Sequence, residues 1–251
     1  MALGSDNQYA TTTAGAGAQI DAGLRSYMLQ VYNYMASGLA LTGIVAWLTA
    51  MASVVTGDSG QIVGLTSFGD TLFNSPLKWV VMLAPLGFVF FLSAKIQTMR
   101  FSTAQITFWA FAGIMGLSLG SIFIVFTGAS ITRVFFISAS VFGAMSLYGY
   151  TTKKDLSGWG SFLFMGLIGI IIASIVNIFI GSTMMEFAIS VIGVLIFTGL
   201  TAYDTQKIKQ IYSAADGTET AGKKALMGAL SLYLDFINLF LMLLRLFGER
   251  R

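Results

Sequence analysis

The sequence predicts an all-α integral membrane protein, a bundle of seven transmembrane helices. Hydrophobic residues make up 56% of the 251-residue chain and charged residues only 10%. A soluble domain carries roughly 25% charged residues, so this chain has too few charges to cover a surface that faces water. It also contains seven apolar runs, each near the roughly 20 residues that a helix needs to cross a bilayer.

The seven apolar runs are continuous, whereas the strands of a membrane β-barrel alternate apolar and polar residues. We place the runs at 28–55, 76–94, 104–126, 132–150, 160–180, 186–208 and 225–247. They form one transmembrane domain over residues 27–251. Residues 1–26 are rich in Gly, Ala, Thr and Ser and lack an apolar core, which predicts a disordered cytoplasmic tail and no cleavable signal peptide.

Two features within the runs predict local structure. Pro85 lies inside the second run, which predicts a kinked helix because proline removes a backbone donor. Gly116 and Gly120, in the third run, fit the small-residue pattern that lets membrane helices approach closely. Because the chain has 28 glycines, chance explains this spacing equally well.

Cysteine and histidine are both absent from the sequence. Their absence excludes disulfides, thiolate catalysis and the usual zinc sites, so any pH sensing must depend on carboxyl groups. The net charge of +3 comes from basic residues in short loops, which we interpret as orientation signals. We therefore expect no nucleic-acid partner.

The distribution of Lys and Arg predicts a cytoplasmic N-terminus. With this orientation nine basic residues face the cytoplasm and five face the opposite side, in agreement with the positive-inside rule. The nine are Arg25, Lys95, Arg100, Lys153, Lys154, Lys207, Lys209, Lys223 and Lys224, and the five are Lys78, Arg133, Arg245, Arg250 and Arg251. The basic C-terminus leaves open a re-entrant last segment, which would return the tail to the cytoplasm.

Asp235 is the charged residue nearest the middle of a run. A carboxylate at the centre of a span costs about 2.5–3.5 kcal/mol, which the many Leu and Phe residues of this run offset. Such acids either hold helices together by hydrogen bonding or form an ion or proton site. At helical spacing, one stripe that we expect to face away from lipid contains Gly228, Ser231, Asp235, Asn238, Met242 and Arg245.

Asp204 lies near the cytoplasmic end of the sixth run and can meet Asp235, because the sixth and seventh runs are antiparallel neighbours. From the expected helix ends, Asp204 lies about 12 Å deep and Asp235 about 20 Å deep, so a tilt or kink must close the gap. Two such carboxyl groups in a low dielectric would share a proton. Once deprotonated they would repel each other or recruit a cation, and oxygen ligands suit calcium. The hypothesis is a pH-dependent cation path with calcium at Asp204 and Asp235.

Three motifs resemble the Bax inhibitor-1 family, also called the transmembrane Bax inhibitor motif family, and its bacterial YccA-like members. The resemblance extends from about Ile20 to the C-terminus. The motifs are residues 146–151 (SLYGYT) with Lys153 and Asp155, residues 202–208 (AYDTQKI) and residues 231–240 (SLYLDFINLF).

This resemblance implies a seven-helix bundle with the last helix central, in the bacterial inner membrane. It implies a pH-sensitive calcium leak controlled by two aspartates that look like Asp204 and Asp235. From their place on the polar stripe of Asp235, we expect Ser231, Asn238 and Arg245 to be supporting polar residues. Some members have a basic partner near the end of the second helix, for which Lys95 and Arg100 are candidates. Other bacterial members look like regulators of a membrane-bound protease, so a regulator that binds another membrane protein is the alternative.

We expect no enzymatic activity and no cofactor besides a calcium ion. Intramembrane aspartyl proteases also place two acids on adjacent helices, but their second acid follows Gly-x-Gly, whereas Asp235 follows Leu-Tyr-Leu. A retinal protein needs a lysine in its last helix, and the run 225–247 has none. The expected partners are the lipid bilayer, calcium or protons, and, under the alternative, a membrane protease.

Overall fold

The computed structural model describes the backbone of residues 6–57 and 61–251 and the side chains of 22–57 and 61–251. This part of the chain forms eight helices and one two-stranded antiparallel sheet. In chain order the elements are α1 (Asp6–Ser53), β1 (Val54–Thr56), β2 (Ile62–Leu65), α2 (Ser67–Phe73), α3 (Leu77–Lys95), α4 (Phe101–Val125), α5 (Gly128–Thr151), α6 (Ser157–Ile180), α7 (Thr183–Gln210) and α8 (Thr218–Phe247).

Seven of the described helices are long and apolar enough to cross a membrane, namely all except α2. The predicted seven-span all-α membrane protein is thereby confirmed. The largest difference in the later spans is at α8, which begins at Thr218, seven residues before the predicted 225. The polar first turns of this helix continue beyond the apolar run and carry an ion pair, with Glu219 Oε1 3.0 Å from Lys223 Nζ.

The loop predicted between the first two spans contains structure of its own. β1 and β2 form an antiparallel hairpin, and α2 follows with Thr66 as its N-cap. The Thr66 hydroxyl donates to the Ala52 carbonyl at 2.7 Å and accepts from the Gly69 amide at 3.1 Å. One threonine therefore ties the start of α2 to the end of α1.

The close contact predicted at Gly116 and Gly120 is confirmed, and the partner is α1. A β-carbon at Gly116 would lie 2.6 Å from Val45 Cβ, and one at Gly120 would lie 2.8 Å from Thr49 Cγ2. These distances are too short for any side chain, so only glycine allows α1 and α4 to pack this closely.

α8 is the most buried of the spans. In its most apolar window 67% of the residues are buried, against 11–33% in the other six described spans. It packs against α1, α4, α5 and α7, and Tyr233 joins an aromatic cluster with Phe108 and Phe111 of α4. This burial favours a central position for the last helix, which stays a prediction.

The C-terminus lies beside the loop between α4 and α5. The Arg251 amide donates to the Val125 carbonyl at 2.9 Å, and the Thr127 amide donates to the Glu249 carbonyl at 3.0 Å. α7 ends at the opposite end of the bundle, where Lys209 Nζ contacts the Tyr150 carbonyl of α5 at 2.8 Å. The last helix therefore crosses the whole bundle, and the re-entrant alternative is wrong.

Two predictions about local structure remain predictions. The tail predicted at 1–26 falls largely outside the described side chains, although the backbone of α1 is helical from Asp6. Pro85 lies inside α3, which continues from Leu77 to Lys95, and the kink expected there stays a prediction.

Candidate functional site

The site is built on α7 and α8, two consecutive antiparallel helices. Glycines set their close packing. A β-carbon at Gly193 of α7 would lie 2.9 Å from Met242 Cγ, and one at Gly228 of α8 would lie 3.1 Å from Ile208 Cγ1. These two contacts, one near each end of the pair, fix the register of the helices.

This register explains how Asp204 and Asp235 meet. With Ile208 opposite Gly228, Asp204 is level with Leu232, so Asp235 is about three residues, or ~4.5 Å, further along the axis. In a helix each Cβ leans toward the N-terminus of its own helix. In an antiparallel pair these two side chains therefore lean toward each other, and the two carboxyl groups lie within hydrogen-bonding reach.

The two carboxyl groups differ in exposure. Asp235 is only 5% exposed, whereas Asp204 is half-buried. Oδ2 of Asp235 is buried and has no N–H or O–H donor within the described part of the chain. Ionised carboxylates only accept hydrogen bonds, so a bond between the two acids requires a proton on one of them. The arrangement can thus hold one proton between two helices.

A basic residue that the sequence patterns did not assign to the site lies close to Asp204 along the chain. Lys207 is three residues after Asp204 on α7 and is exposed. Its Nζ lies 5.9 Å from the ring centroid of Tyr203. The signal that could have found it is the spacing of three residues on one helix face, whereas the family resemblance points to the end of the second span.

Of the four proposed supporting residues, two lie next to Asp235 on α8 and two lie away from the pair. Ser231 and Asn238 are half-buried about one turn on either side of Asp235, and Asn238 Nδ2 donates to the Leu234 carbonyl of its own helix at 2.8 Å. Arg245 is exposed in the last turn of α8. Lys95 is exposed at the end of α3, a helix that packs on α2 and α4. Their supporting role stays a prediction that no observed contact favours.

The polar stripe of α8 faces other helices only in part. Gly228 and Met242 contact α7, and Asp235 is buried. Arg245 is exposed, which corrects the expectation that the whole stripe faces away from lipid. The reason is its place in the last turn, where the side chain can leave the bundle.

The residues that follow Asp204 attach α7 to α5. Thr205 Oγ1 lies 3.0 Å from Ser146 Oγ, and Ser146 Oγ lies 2.6 Å from the Tyr32 hydroxyl of α1. Gln206 Nε2 donates to the Lys154 carbonyl at 2.8 Å. These contacts form a hydroxyl chain across three helices that the sequence patterns did not reveal.

The described residues contain no group of three or more His, Cys, Asp or Glu side chains that could hold a metal ion. Calcium takes six to eight oxygen ligands. Two carboxyl groups supply only part of such a shell, so water and backbone oxygens would have to supply the rest.

Comparison with known proteins supports the assignment of the chain to a family. A family described as inhibitor of apoptosis-promoting Bax1 matches residues 24–251. An uncharacterized protein of Rickettsia prowazekii is 48% identical over 240 residues, covering 96% of each chain. The inner membrane protein YbhL of Escherichia coli is 48% identical over 233 residues, covering 92% of this chain and 94% of YbhL. The chain is thus a multi-pass membrane protein that belongs to the Bax inhibitor-1 family.

Proposed function

We propose that this protein is a pH-sensitive cation leak channel in which Asp204 and Asp235 form the gate, with calcium as a permeant ion. The observation that carries the proposal is the pairing of the two carboxyl groups across α7 and α8. Asp235 is buried inside the span most enclosed by other helices. Buried acids at this depth are expensive and mark ion or proton paths more often than not.

The proposed gate works through the shared proton. While one proton lies between the acids, a hydrogen bond joins α7 to α8. When the proton leaves, two negative charges repel each other in a medium of low dielectric constant, or a cation takes the place of the proton. Asp204 is half-buried whereas Asp235 is only 5% exposed, so we assign Asp204 as the group that exchanges protons with the cytoplasmic side.

We also infer a location in the bacterial inner membrane with the N-terminus in the cytoplasm. The name of YbhL as an inner membrane protein supports the first point. The excess of basic residues at the end of the bundle that carries Arg25, Lys153 and Lys209 supports the second.

Reconstitution tests the proposal directly. The purified full-length protein is placed in liposomes that contain a calcium indicator, and calcium entry is measured from pH 5 to pH 8, with protein-free liposomes as the control. We expect entry that changes with pH across the range in which the pair loses its proton. A folded protein that gives no flux above the control at any pH would contradict the channel and favour a regulator that binds another membrane protein.

A further inference from the structure

A groove separates α1 from α5 at the end of the bundle that carries Arg25. α1 packs on α4 and α8, and α5 packs on α7 and α8, so neither helix fills the space between them. The Tyr32 hydroxyl of α1 and Ser146 Oγ of α5 are 2.6 Å apart. This hydrogen bond joins the two helices and forms the floor of the groove. The cavity measures about 520 Å³, within the range of about 300–1,000 Å³ that is usual for ligand sites.

The walls of the groove are apolar and open toward lipid. Leu29 of α1 is 53% exposed and Leu147 of α5 is 63% exposed, and both line the cavity. Between them, a β-carbon at Gly143 would have no neighbour within 4 Å. An acyl chain can cover these apolar side chains and keep them from water.

The rim of the groove is positively charged. Arg25 lines it from α1 and is exposed. Tyr150 lines it from α5, and Lys209 Nζ lies 2.8 Å from the Tyr150 carbonyl oxygen and 5.1 Å from its ring centroid. One cation thus lines the cleft and a second contacts a residue that lines it, and basic pockets between membrane helices bind anionic head groups.

We propose that this groove is a binding site for one anionic phospholipid. An acyl chain lies between α1 and α5, and the phosphate lies between Arg25 and Lys209. The site is separate from the aspartate pair, so it does not depend on channel activity.

A second groove, lined by α1, α4, α5 and α8, provides the internal comparison. It lies nearer the opposite end of the bundle, measures about 260 Å³ and has no charged residue among those that line it. A β-carbon at Gly43, which lines this second groove, would also have no neighbour within 4 Å. The two grooves therefore differ in charge while each offers one open glycine position.

Native mass spectrometry of the purified, delipidated full-length protein tests the site. Phosphatidylglycerol and phosphatidylcholine with the same acyl chains are titrated separately. We expect one phosphatidylglycerol to bind in preference to phosphatidylcholine. Arg25→Gln should weaken phosphatidylglycerol binding about five-fold, the equivalent of the roughly 1 kcal/mol that one basic residue contributes near a membrane surface. Gly143→Leu should fill the groove and remove the preference, whereas Gly43→Leu should bind phosphatidylglycerol as the wild type does.

Three results would overturn the proposal: equal binding of the two lipids by the wild type, unchanged phosphatidylglycerol binding in Arg25→Gln, or equal losses in Gly43→Leu and Gly143→Leu. Thermal unfolding in detergent shows whether each variant is folded. Should Gly143→Leu fail to fold, Arg25→Gln decides the question. The Arg25 side chain is exposed, so its replacement leaves the packing unchanged.

Discussion

The backbone of Gly149 on α5 lies directly against the carbonyl group of Ala202 on α7. A β-carbon at Gly149 would overlap the Ala202 carbonyl oxygen and would lie 2.9 Å from its carbonyl carbon. This contact occurs two residues before Asp204. The backbones of α5 and α7 are therefore in direct contact close to Asp204.

Gly149→Ala should destabilise the protein by about 1–3 kcal/mol, because the added methyl group must push two backbones apart. Gly143→Ala is the matched control in the same helix, since its methyl group would have no neighbour within 4 Å. It should be neutral or slightly stabilising, because alanine favours helices by about 1 kcal/mol over glycine. Thermal unfolding in detergent measures both. Equal melting temperatures for the two variants would contradict the close contact.

Asp204→Asn and Asp235→Asn should each abolish the pH dependence of calcium flux in liposomes, since a shared proton needs two carboxyl groups. The double variant should behave like either single variant, as expected for residues that act as one unit. Wild-type pH profiles in both single variants would rule out the shared-proton gate and leave Asp235 a structural role.

Asp155→Asn is the matched control for those substitutions. The hydrogen bonds from Ser157 lower the pKa of Asp155 below its usual value of 3.8, and the Ser157 amide lies 2.9 Å from Asp155 Oδ1. A lowered pKa means that the stabilisation is present above about pH 4 and is lost as the pH falls through the lower folded value. Asp155 thus stays ionised from pH 5 to pH 8, and its replacement should leave the flux profile unchanged. A shifted profile would show that the loop before α6 takes part in gating.

Thr42→Val should cost more stability than Tyr233→Phe. The Thr42 hydroxyl donates to the Ala112 carbonyl at 2.8 Å and lies 2.7 Å from the Tyr233 hydroxyl. Valine removes both bonds and leaves the buried Tyr233 hydroxyl without a partner, at a cost of about 1–2 kcal/mol. Phenylalanine removes one bond and leaves Thr42 bonded to Ala112.

The double variant Thr42→Val with Tyr233→Phe should cost less than the sum of the two single changes, because no hydroxyl is then left unpaired. Thermal or denaturant unfolding of the four proteins in detergent gives the comparison. Additive costs would mean that the two hydroxyl groups do not interact.

Membrane topology can be tested with introduced cysteines, since the chain has none of its own. Asn74 lies between α2 and α3, and Lys153 lies between α5 and α6, at opposite ends of the bundle. A membrane-impermeant thiol reagent should label Asn74→Cys in spheroplasts and should label Lys153→Cys only after lysis. The reverse pattern would place the N-terminus outside.

The seven spans could be predicted because continuous apolar runs of about 20 residues are typical of transmembrane helices. The sequence suggested that Asp204 and Asp235 meet, but it could not establish the contact. From depth alone the two acids differed by several ångströms, and what removes the difference is the register set by Gly228 and Ile208. Register depends on side-chain packing between helices, which a single sequence does not encode in any periodic signal.

The sequence patterns did not predict two other parts of the structure, the hairpin and the hydroxyl chain. The hairpin of β1 and β2 lies in a segment with no long apolar run, where hydropathy carries little information. The hydroxyl chain through Ser146 and Thr205 joins residues 59 positions apart on separate helices. Both residues belong to the family motifs, yet serine and threonine are too common in membrane helices to indicate a contact by themselves.

The burial of α8 has a consequence for how the protein is made. The four helices that it packs against, α1, α4, α5 and α7, all precede it in the sequence. Until α8 is present, the Thr42 hydroxyl has no contact with the Tyr233 hydroxyl, and the Asp204 carboxyl group has no contact with the Asp235 carboxyl group. The earlier spans therefore leave polar groups without the partners that α8 supplies. The contacts that α8 makes with these four helices can therefore form only after residues 218–247 have been synthesised.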